Sequence, residues 1–323
     1  MRVLVTGADG FVGRNLRVAL SEVPDREVLA VTRSTGEPGL RAAVATADAV
    51  IHLAGVNRPE DPAEFAHVNA GFTSRLCEVL RDAGRPVPIA FASSIQADRD
   101  NAYGRSKLAA EESLRRHARE TSAPVAIYRL PNVFGKWCRP NYNSAVATFC
   151  HNLARGLPIR IDDPAAILRL VYVDDVVAEL KRFISDPVSR DGIVGVTPEY
   201  TTTVGELARQ LAAFAEVRHS FVTERVGEGL VRALYATYVS YLPPAAFSYP
   251  VPRHGDARGA FVEMLKTKDS GQFSYFTAHP GVTRGGHYHH SKTEKFLVVQ
   301  GKARFRFRHI VSGETHELVT EAG

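Results

Sequence analysis

The sequence has little cysteine and no long apolar run, and each absence excludes a class of protein: the disulfide-rich proteins and the membrane-spanning proteins. Its three cysteines, Cys77, Cys138 and Cys150, have neither the spacing of a disulfide framework nor that of a metal motif. Free thiols of this kind suit a reducing compartment. A membrane-spanning helix would need about 20 consecutive apolar residues, and the first residues lack the regions of a secretion signal. We therefore expect a cytoplasmic protein without membrane contact.

A block of basic residues is also missing. The 40 Lys and Arg residues are interleaved with 35 Asp and Glu residues, which leaves a formal net charge of +5. No motif combines basic and aromatic residues in the way of a nucleic-acid reader. Nucleic acid is therefore not expected as a partner, and a small positive surplus suits an enzyme that binds anionic nucleotides.

The 323 residues, 45% of them hydrophobic, are enough for one large domain and a smaller one. In the first half, continuous apolar segments alternate with amphipathic helical segments. This alternation predicts a doubly wound α/β fold, in which helices cover both faces of a parallel sheet. The predicted strands are residues 3–6, 28–32, 49–54, 89–92 and 125–129, and the predicted helices are residues 11–23, 62–83 and 103–120.

The second half changes character twice. Between residues 141 and 242 helical patterns dominate, with short strands predicted near Ile159 and at residues 170–173 and 193–196. We interpret this region as a substrate-binding elaboration. Four prolines between residues 243 and 252 then interrupt the pattern, and short alternating strands such as 296–299 and 303–307 follow. We predict one domain at residues 1–248 and a second, all-β domain at residues 249–323.

A glycine-rich loop follows the first predicted strand and opens the first helix. Gly7, Gly10 and Gly13 have the spacing Gly-x-x-Gly-x-x-Gly. In a dinucleotide site such glycines permit a tight turn, a close approach to the pyrophosphate and close packing of helix on strand, and the helix N-terminus attracts the phosphates. A plain glycine-rich turn is the alternative. The predicted cofactor-binding residues of this loop are Gly7, Gly10, Phe11, Val12 and Gly13.

The end of the second strand suggests which dinucleotide is bound. An acidic residue at this position would hold the ribose 2′-hydroxyl group of NAD, whereas this chain has Arg33. A guanidinium group pairs with a 2′-phosphate, so NADP(H) is favoured over NAD, with a solvated arginine as the alternative. We expect Asp48 and the turn Leu53, Ala54 and Gly55 to lie near the adenine and its ribose.

Tyr103 and Lys107 are one helical turn apart, on one face of a predicted helix. The Lys107 ammonium group can lower the pKa of the Tyr103 phenol and hold the nicotinamide ribose, so that Tyr103 donates a proton to a carbonyl oxygen. Ser94, at the end of the preceding strand, offers a hydroxyl group to the same oxygen, and we prefer it to Ser93. The alternative is a Tyr and a Lys with structural roles only.

Residues 1 to about 245 resemble the extended short-chain dehydrogenase/reductase family, which includes nucleotide-sugar epimerases, dehydratases and reductases. The resemblance includes Asn69 in the sequence HVNAG, residues 129–135 (RLPNVFG) and residues 172–176 (YVDDV). It implies a Rossmann-type sheet, with Asn69 beside the cofactor, and a UDP- or dTDP-sugar as substrate. The substrate-binding residues that it implies are Asn132, Lys136 and Asn143.

The C-terminal segment resembles the first conserved motif of the cupins. His287 and His289 are followed by Glu294, and two imidazoles with a carboxylate suit a borderline ion such as zinc. His290 is the alternative ligand if the strand register slips by one residue, and a solvated His-rich turn is the alternative to a metal site. The second cupin motif is expected beyond residue 323, so we predict an incomplete barrel whose exposed edges favour a homodimer.

The combination of these two parts resembles a bifunctional reductase/epimerase family of capsule and O-antigen synthesis. Residues 53–59 (LAGVNRP), 134–144 (FGKWCRPNYNS) and 294–299 (EKFLVV) carry this resemblance. It implies a UDP-2-acetamido-2,6-dideoxy-4-ketohexose of the L series as substrate. The cupin would epimerise carbon 3, and the reductase would then form UDP-2-acetamido-2,6-dideoxy-L-talose, a precursor of UDP-N-acetyl-L-fucosamine.

Two other functions remain open from the sequence. The first is a reductase, epimerase or dehydratase that acts on another nucleotide sugar, with the C-terminal part serving only for dimerisation. The second is a non-catalytic NADP-binding sensor on the same fold, since fold alone does not establish function. The presence of Ser94, Tyr103 and Lys107 together argues against a sensor, because a sensor has no need of a proton donor.

Overall fold

The computed structural model describes residues 1–322, which form two compact units. The first unit comprises Met1–Pro252 and Val262–Tyr275, and the second comprises Arg253–Phe261 and residues 276–322. The strands are β1 (Arg2–Thr6), β2 (Glu27–Val31), β3 (Ala49–His52), β4 (Ile89–Ser94), β5 (Val125–Leu130), β6 (Asn132–Phe134), β7 (Ile167–Tyr172), β8 (Gly192–Val194), β9 (Glu199–Thr203), β10 (Val222–Thr223), β11 (Arg253–Asp256), β12 (Gly259–Thr267), β13 (Gln272–Phe276), β14 (Lys302–Arg308) and β15 (Thr315–Glu321).

The helices lie mainly between the strands of the first unit. They are α1 (Phe11–Ser21), α2 (Glu37–Thr46), α3 (Phe72–Asp82), α4 (Ala102–Thr121), α5 (Ala145–Leu153), α6 (Val173–Ser185), α7 (Val204–Ser220) and α8 (Gly229–Ser240). A π-helical turn at Phe65–Gly71 precedes α3, and 3-10 turns lie at Ile95–Asp98, Val188–Arg190 and Pro244–Ala246. No helix within residues 1–322 has both the length and the apolar character needed to cross a bilayer.

The first unit is built on a six-stranded parallel sheet. Its strand order is β2-β1-β3-β4-β5-β8, and each neighbouring pair is parallel. The central strand β1 is buried from Val3 to Thr6, because its apolar side chains alternate between two covered faces. The predicted doubly wound α/β fold is confirmed.

Two apolar clusters lie on opposite faces of this sheet. On one face, Leu16 and Leu20 of α1 pack with Phe183 of α6. On the other face, Leu76 of α3 and Leu114 of α4 pack against the sheet. Side chains spaced three or four residues apart share one side of a helix, so each helix presents an apolar stripe to the strands.

A third cluster surrounds the small sheet β6-β7-β9, in which β6 and β7 are parallel and β7 and β9 are antiparallel. Helices α5, α7 and α8 supply much of it, with Phe149, Leu211 and Leu234 among its buried side chains. This cluster lies within residues 132–242 and follows the carboxyl end of β5. Part of the region predicted as an elaboration, α6 and β8, belongs instead to the main sheet and its core. The role of this region in substrate binding stays a prediction.

Two predicted strands are wrong. Ile159 lies in an irregular segment after Pro158, which has no N–H group to donate to a neighbouring strand. Residues 296–299 are also irregular, and Leu297 is 73% exposed. A strand requires a partner backbone, and residues 1–322 offer none to either segment.

The second unit contains β11, the first residues of β12 and an antiparallel hairpin of β14 and β15. The hairpin register runs from Lys302 opposite Glu321 to Arg308 opposite Thr315. The predicted small all-β second part is confirmed. The division at residue 248 stays a prediction, since the two units interleave: residues 262–275 group with the first unit, where β12 pairs with β10.

Candidate active site

The glycine-rich loop joins β1 to α1 at the carboxyl edge of the parallel sheet. Gly7 has φ +65°, and a Cβ atom there would lie 2.8 Å from the Ala54 backbone nitrogen. A Cβ atom on Gly13 would lie 2.3 Å from the Gly7 carbonyl oxygen. Gly10 caps α1 without a side chain, which leaves the first-turn N–H groups free for an anion.

A cavity of about 910 Å³ opens at this edge. It lies at the carboxyl ends of the central strands, where doubly wound sheets bind nucleotides. The predicted cofactor residues that line it are Gly7, Gly10, Arg33, Leu53, Ala54 and Gly55. Sequence reasoning missed Asp9, Val31, Thr32, Ser34, Thr35, His67, Val68, Gly71, Phe72 and Arg75. The first five of these lie at or just after the ends of β1 and β2, so the strand ends could have indicated them. The other five belong to the π-helical turn and α3.

The other predicted cofactor residues lie outside the cavity wall. Phe11 and Val12 begin α1, and their side chains pack into apolar clusters, which leaves only their backbone to face a ligand. Asp48 precedes β3, at the opposite edge of the sheet, where its carboxylate accepts a hydrogen bond of 2.6 Å from the Arg2 backbone N–H. The proposed cofactor site therefore omits Asp48.

Asn69 is buried directly behind Gly55. Its side chain accepts from the Val56 N–H at 2.8 Å and donates to the Val56 carbonyl at 3.0 Å and to the Ser106 hydroxyl at 2.9 Å. A Cβ atom on Gly55 would lie 2.9 Å from the Asn69 Oδ1 atom and 3.4 Å from the Lys107 Nζ atom. Asn69 thus joins the cavity wall to helix α4, which carries Tyr103 and Lys107.

A buried histidine, His52, which the sequence analysis did not select, stabilises the backbone of this cavity wall through Thr6. His52 Nδ1 lies 2.6 Å from the Thr6 hydroxyl, and His52 Nε2 lies 2.8 Å from the Thr73 hydroxyl. The Thr6 hydroxyl also accepts from the backbone N–H groups of Leu53 and Ala54, both at 3.2 Å. Burial lowers the pKa of His52 to about 3, so the ring is neutral and joins β1 to α3 as a fixed polar link.

Of the predicted catalytic residues, Ser94 ends β4, Tyr103 lies in the first turn of α4 and Lys107 lies one turn later. Lys107 is buried, and its Nζ atom donates to the Ala92 carbonyl at 2.9 Å. Burial lowers the pKa of Lys107 to about 8. Burial also raises the pKa of the Tyr103 phenol, and a hydrogen-bonding interaction with the Ser94 side chain opposes that effect. Tyr103 is therefore a protonated phenol at neutral pH.

Helix α4 is held in place by a buried carboxylate, Glu111, one turn beyond Lys107. Glu111 is 0% exposed and accepts hydrogen bonds from Ser93 Oγ at 2.5 Å, Arg129 Nε at 2.9 Å and Arg115 Nη2 at 2.8 Å. Burial alone would raise the pKa of Glu111, but the bonds from Arg129 and Ser93 hold it below its usual value. Ser93 is thus committed to Glu111, which leaves Ser94 as the hydroxyl facing Tyr103.

The predicted substrate-binding residues lie on the segments that follow β5. Asn132 is exposed on β6 and donates to the Arg169 carbonyl at 3.1 Å. Lys136 forms an ion pair with Asp174 at the start of α6. Asn143 is exposed at the end of the loop before α5. The structure does not show these three side chains in contact with one another.

The predicted metal ligands form a cluster in the second unit. One ligand atom from each of His287, His289 and Glu294 lies within 4.8 Å of the others. His289 Nε2 is 3.6 Å from Glu294 Oε1, and Lys292 Nζ is 3.1 Å from the same oxygen. Glu294 is exposed, and the hydrogen bond from Lys292 lowers the pKa of its carboxyl group, so the carboxylate is ionised. Two imidazoles and a carboxylate are donors that suit a divalent ion such as zinc.

Comparison with protein families gives two matches. Residues 3–194 match the NAD dependent epimerase/dehydratase family, and residues 254–323 match the polysaccharide biosynthesis C-terminal domain. Among curated proteins, the chain is 57% identical over 320 residues to a UDP-2-acetamido-2,6-beta-L-arabino-hexul-4-ose reductase of Pseudomonas aeruginosa, with 99% of this chain and 86% of that protein covered.

Solved structures give similar matches. The capsular polysaccharide assembling protein CapF from Staphylococcus aureus is 44% identical, with a TM-score of 0.91 over 99% of this chain and 87% of that protein. A UDP-glucose 4-epimerase from Thermus thermophilus, in complex with NAD, is 22% identical with a TM-score of 0.60 over 75% of this chain and 99% of that protein. The second likeness is one of fold alone.

Proposed function

We propose that this chain, which belongs to the NAD dependent epimerase/dehydratase family, reduces the ketone at carbon 4 of a UDP-2-acetamido-2,6-dideoxyhexose of the L series with NADPH. The predicted enzyme class, an oxidoreductase of the short-chain dehydrogenase/reductase type, is confirmed by that family and by the 57% identity to a UDP-sugar reductase. The product that we propose is UDP-2-acetamido-2,6-dideoxy-L-talose, a precursor of UDP-N-acetyl-L-fucosamine for capsule or O-antigen.

The observation that supports this reaction most directly is the position of Lys107 against the cofactor cavity. Its Nζ atom lies 3.4 Å from where a Cβ atom of Gly55 would be, and Gly55 lines the cavity. Tyr103 lies one helical turn before Lys107, and Ser94 interacts with the Tyr103 phenol. A proton donor therefore lies next to the cavity that would hold the nicotinamide cofactor.

The proposed chemistry uses this chain's residues to handle one proton. NADPH, when bound, supplies a hydride to carbon 4. Ser94 donates a hydrogen bond to the ketone oxygen and orients it. Tyr103 transfers its phenolic proton to that oxygen as the C–O double bond becomes a single bond. The ammonium group of Lys107, one helical turn from Tyr103, stabilises the phenolate that remains, and a proton from solvent restores the phenol.

We further propose that the second unit inverts carbon 3 before reduction. The ketone at carbon 4 acidifies the hydrogen on carbon 3, so removal and return of this proton can change its configuration. His287, His289 and Glu294 would hold a divalent ion such as zinc, which would polarise the ketone as a Lewis acid. The carboxylate and two imidazoles within 4.8 Å of one another support this role.

We also propose a cytoplasmic homodimer. The three cysteines are unpaired in the structure, which suits a reducing compartment. Strands β14 and β15 pair with each other only, within residues 1–322, so each has an edge available to another chain.

The first test is NADPH oxidation, followed at 340 nm, with the L-series UDP-4-keto sugar as substrate. We expect Tyr103→Phe to reduce kcat at least about 100-fold, because a general acid contributes roughly that much. Tyr235→Phe, which removes the same hydroxyl group from a side chain packed on Phe214 in the third cluster, is the matched control. Equal rates in Tyr103→Phe and the unmodified chain would disprove the assignment of Tyr103. If neither the unmodified chain nor Tyr103→Phe oxidises NADPH with this sugar, another nucleotide sugar is favoured as the substrate.

A further inference from the structure

A second arginine reaches the cofactor cavity from α3. Arg75 lines the cavity together with Arg33, although no sequence motif marks it. Its guanidinium group forms ion pairs with Glu37, the first residue of α2, and with Glu78 at 2.7 Å. Glu37 follows the loop of residues 33–36 directly, so this ion pair holds Arg75 beside the loop that carries Arg33.

The charges around Arg75 do not balance. Glu37 also pairs with Arg41 at 3.0 Å, and Arg41 pairs with Asp82 at 3.0 Å. With Glu78, the network contains three carboxylates and two guanidinium groups. Arg33 forms no ion pair within residues 1–322. The loop of residues 33–36 therefore offers one unpaired cation, Arg33. Around the second cation, Arg75, carboxylates outnumber guanidinium groups.

We propose that Arg75 is the second cation, after Arg33, of the site for the adenosine 2′-phosphate of NADP(H). In the absence of the cofactor Arg75 pairs with Glu37, and the phosphate displaces the Glu37 carboxylate. This inference rests on the proposed use of NADP(H). A guanidinium group binds a phosphate through two parallel hydrogen bonds, which a phosphate with about two negative charges strengthens. Exposed ion pairs such as Arg75 with Glu37 are weak in water, so their exchange costs little.

This arrangement would make the preference for NADP(H) depend on two opposing residues. Arg75 favours the phosphorylated dinucleotide, and the Glu37 carboxylate opposes it, since it competes for the same donors and repels the phosphate. NAD(H) has a hydroxyl group at this position and gains little from either residue. The reduced and oxidised forms of NADP share the phosphate, so neither residue should separate them.

The test is the dissociation constant of NADPH and of NADH, measured from nicotinamide fluorescence with the full chain. The variants are Arg75→Gln, Glu37→Gln and Arg33→Gln. Arg81→Gln is the matched control, because Arg81 lies on the same helix in an exposed ion pair with Glu120 and does not line the cavity. Retained NADH binding in each variant shows that the fold is intact.

We expect Arg75→Gln to weaken NADPH binding about tenfold, as the loss of a charge-assisted hydrogen bond does, and to change NADH binding less than about twofold. Glu37→Gln should tighten NADPH binding only. Equal weakening of NADPH and NADH by Arg75→Gln would overturn the inference, because it would place Arg75 on a part shared by both dinucleotides. Unchanged NADPH binding in Arg75→Gln, together with a loss of NADPH binding in Arg33→Gln, would also overturn the inference about Arg75. The proposed use of NADP(H) would then still stand. If the unmodified chain binds NADH as tightly as NADPH, the use of NADP(H) itself fails.

Discussion

Single residues decide how the proposed proton donor is held, and Glu111 is the clearest example. Its carboxylate joins Ser93 on β4, Arg129 on β5 and Arg115 on α4. It also raises the pKa of Lys107, against the larger effect of burial, which lowers that pKa to about 8. Glu111 touches no cavity residue directly, so we regard it as a positioning residue for Ser94 and Lys107.

The pH dependence of the proposed reductase should follow the charge of Lys107. The protonated form of Lys107 is lost as pH rises through its pKa of about 8, so kcat/KM should fall on the alkaline side of that value. Glu111→Gln removes the negative charge that raises this pKa, so the fall should begin at a lower pH. The measurement is kcat/KM for the UDP-4-keto sugar between pH 6 and about 9, which reports groups of the free enzyme.

Glu112→Gln, on the exposed neighbouring position, is the matched control and should leave the profile unchanged. Glu111→Gln should also destabilise the fold by roughly 3–5 kcal/mol, because it breaks a buried ion pair. A loss of stability without a shift of the alkaline limb would limit Glu111 to a structural role.

At the scale of elements, the start of α4 sets the direction of Tyr103. Asn101 caps this helix, and its Oδ1 atom accepts from the Gly104 N–H at 2.8 Å. A Cβ atom on Gly104 would lie 2.3 Å from the Gln96 carbonyl oxygen, so the first turn packs directly against the 3-10 turn after Ser94. The cap and this close approach together hold Tyr103 next to Ser94.

We predict that Asn101→Ala lowers the free energy of unfolding by about 1 kcal/mol, as the loss of an N-cap does, and lowers kcat as well. Thr203→Ala is the matched control, since Thr203 caps α7 in a capping box with Glu206, away from Tyr103. Both losses of stability should be similar in denaturant unfolding, whereas only Asn101→Ala should slow NADPH oxidation. A similar kcat in the two variants would argue against a role of the α4 cap in positioning Tyr103.

At the scale of the whole molecule, the two units carry different proposed reactions. The Ser94, Tyr103 and Lys107 group belongs to the first unit, and the His287, His289 and Glu294 group belongs to the second. Each set of residues comes from a separate stretch of chain. The two reactions should therefore respond separately to substitution.

We predict that His289→Ala abolishes exchange of the carbon-3 hydrogen with deuterium from solvent, measured by NMR, and that removal of divalent ions with a chelator does the same. Reduction of a substrate whose carbon 3 is already inverted should proceed at the normal rate in both cases. His290→Ala is the matched control, because its ring packs edge-on against Tyr288, with the ring centroids 5.3 Å apart, and lies outside the cluster. Full exchange in His289→Ala would exclude this cluster from the epimerisation.

The sequence predicted much of the fold because its local signals agree with one another. Continuous apolar strands alternate with helices, and the glycine spacing marks the first turn. The strands at Ile159 and residues 296–299 were wrong, because an apolar segment becomes a strand only where a second backbone lies beside it. Asp48 was placed near the cofactor, although its position before β3 puts it at the amino edge of the sheet.

By itself, the sequence determined the candidate residues for binding and catalysis: the glycine loop, Arg33, the Tyr103 and Lys107 pair, and the His-x-His with its Glu294. These signals depend on short spacings along the chain, which helix and strand geometry converts directly into shared faces. Only the tertiary structure placed Arg75 in the cavity wall, His52 against Thr6 and Glu111 against Ser93. Their partners are distant in sequence, and contact between distant segments depends on how the sheet and helices pack, which no local pattern encodes.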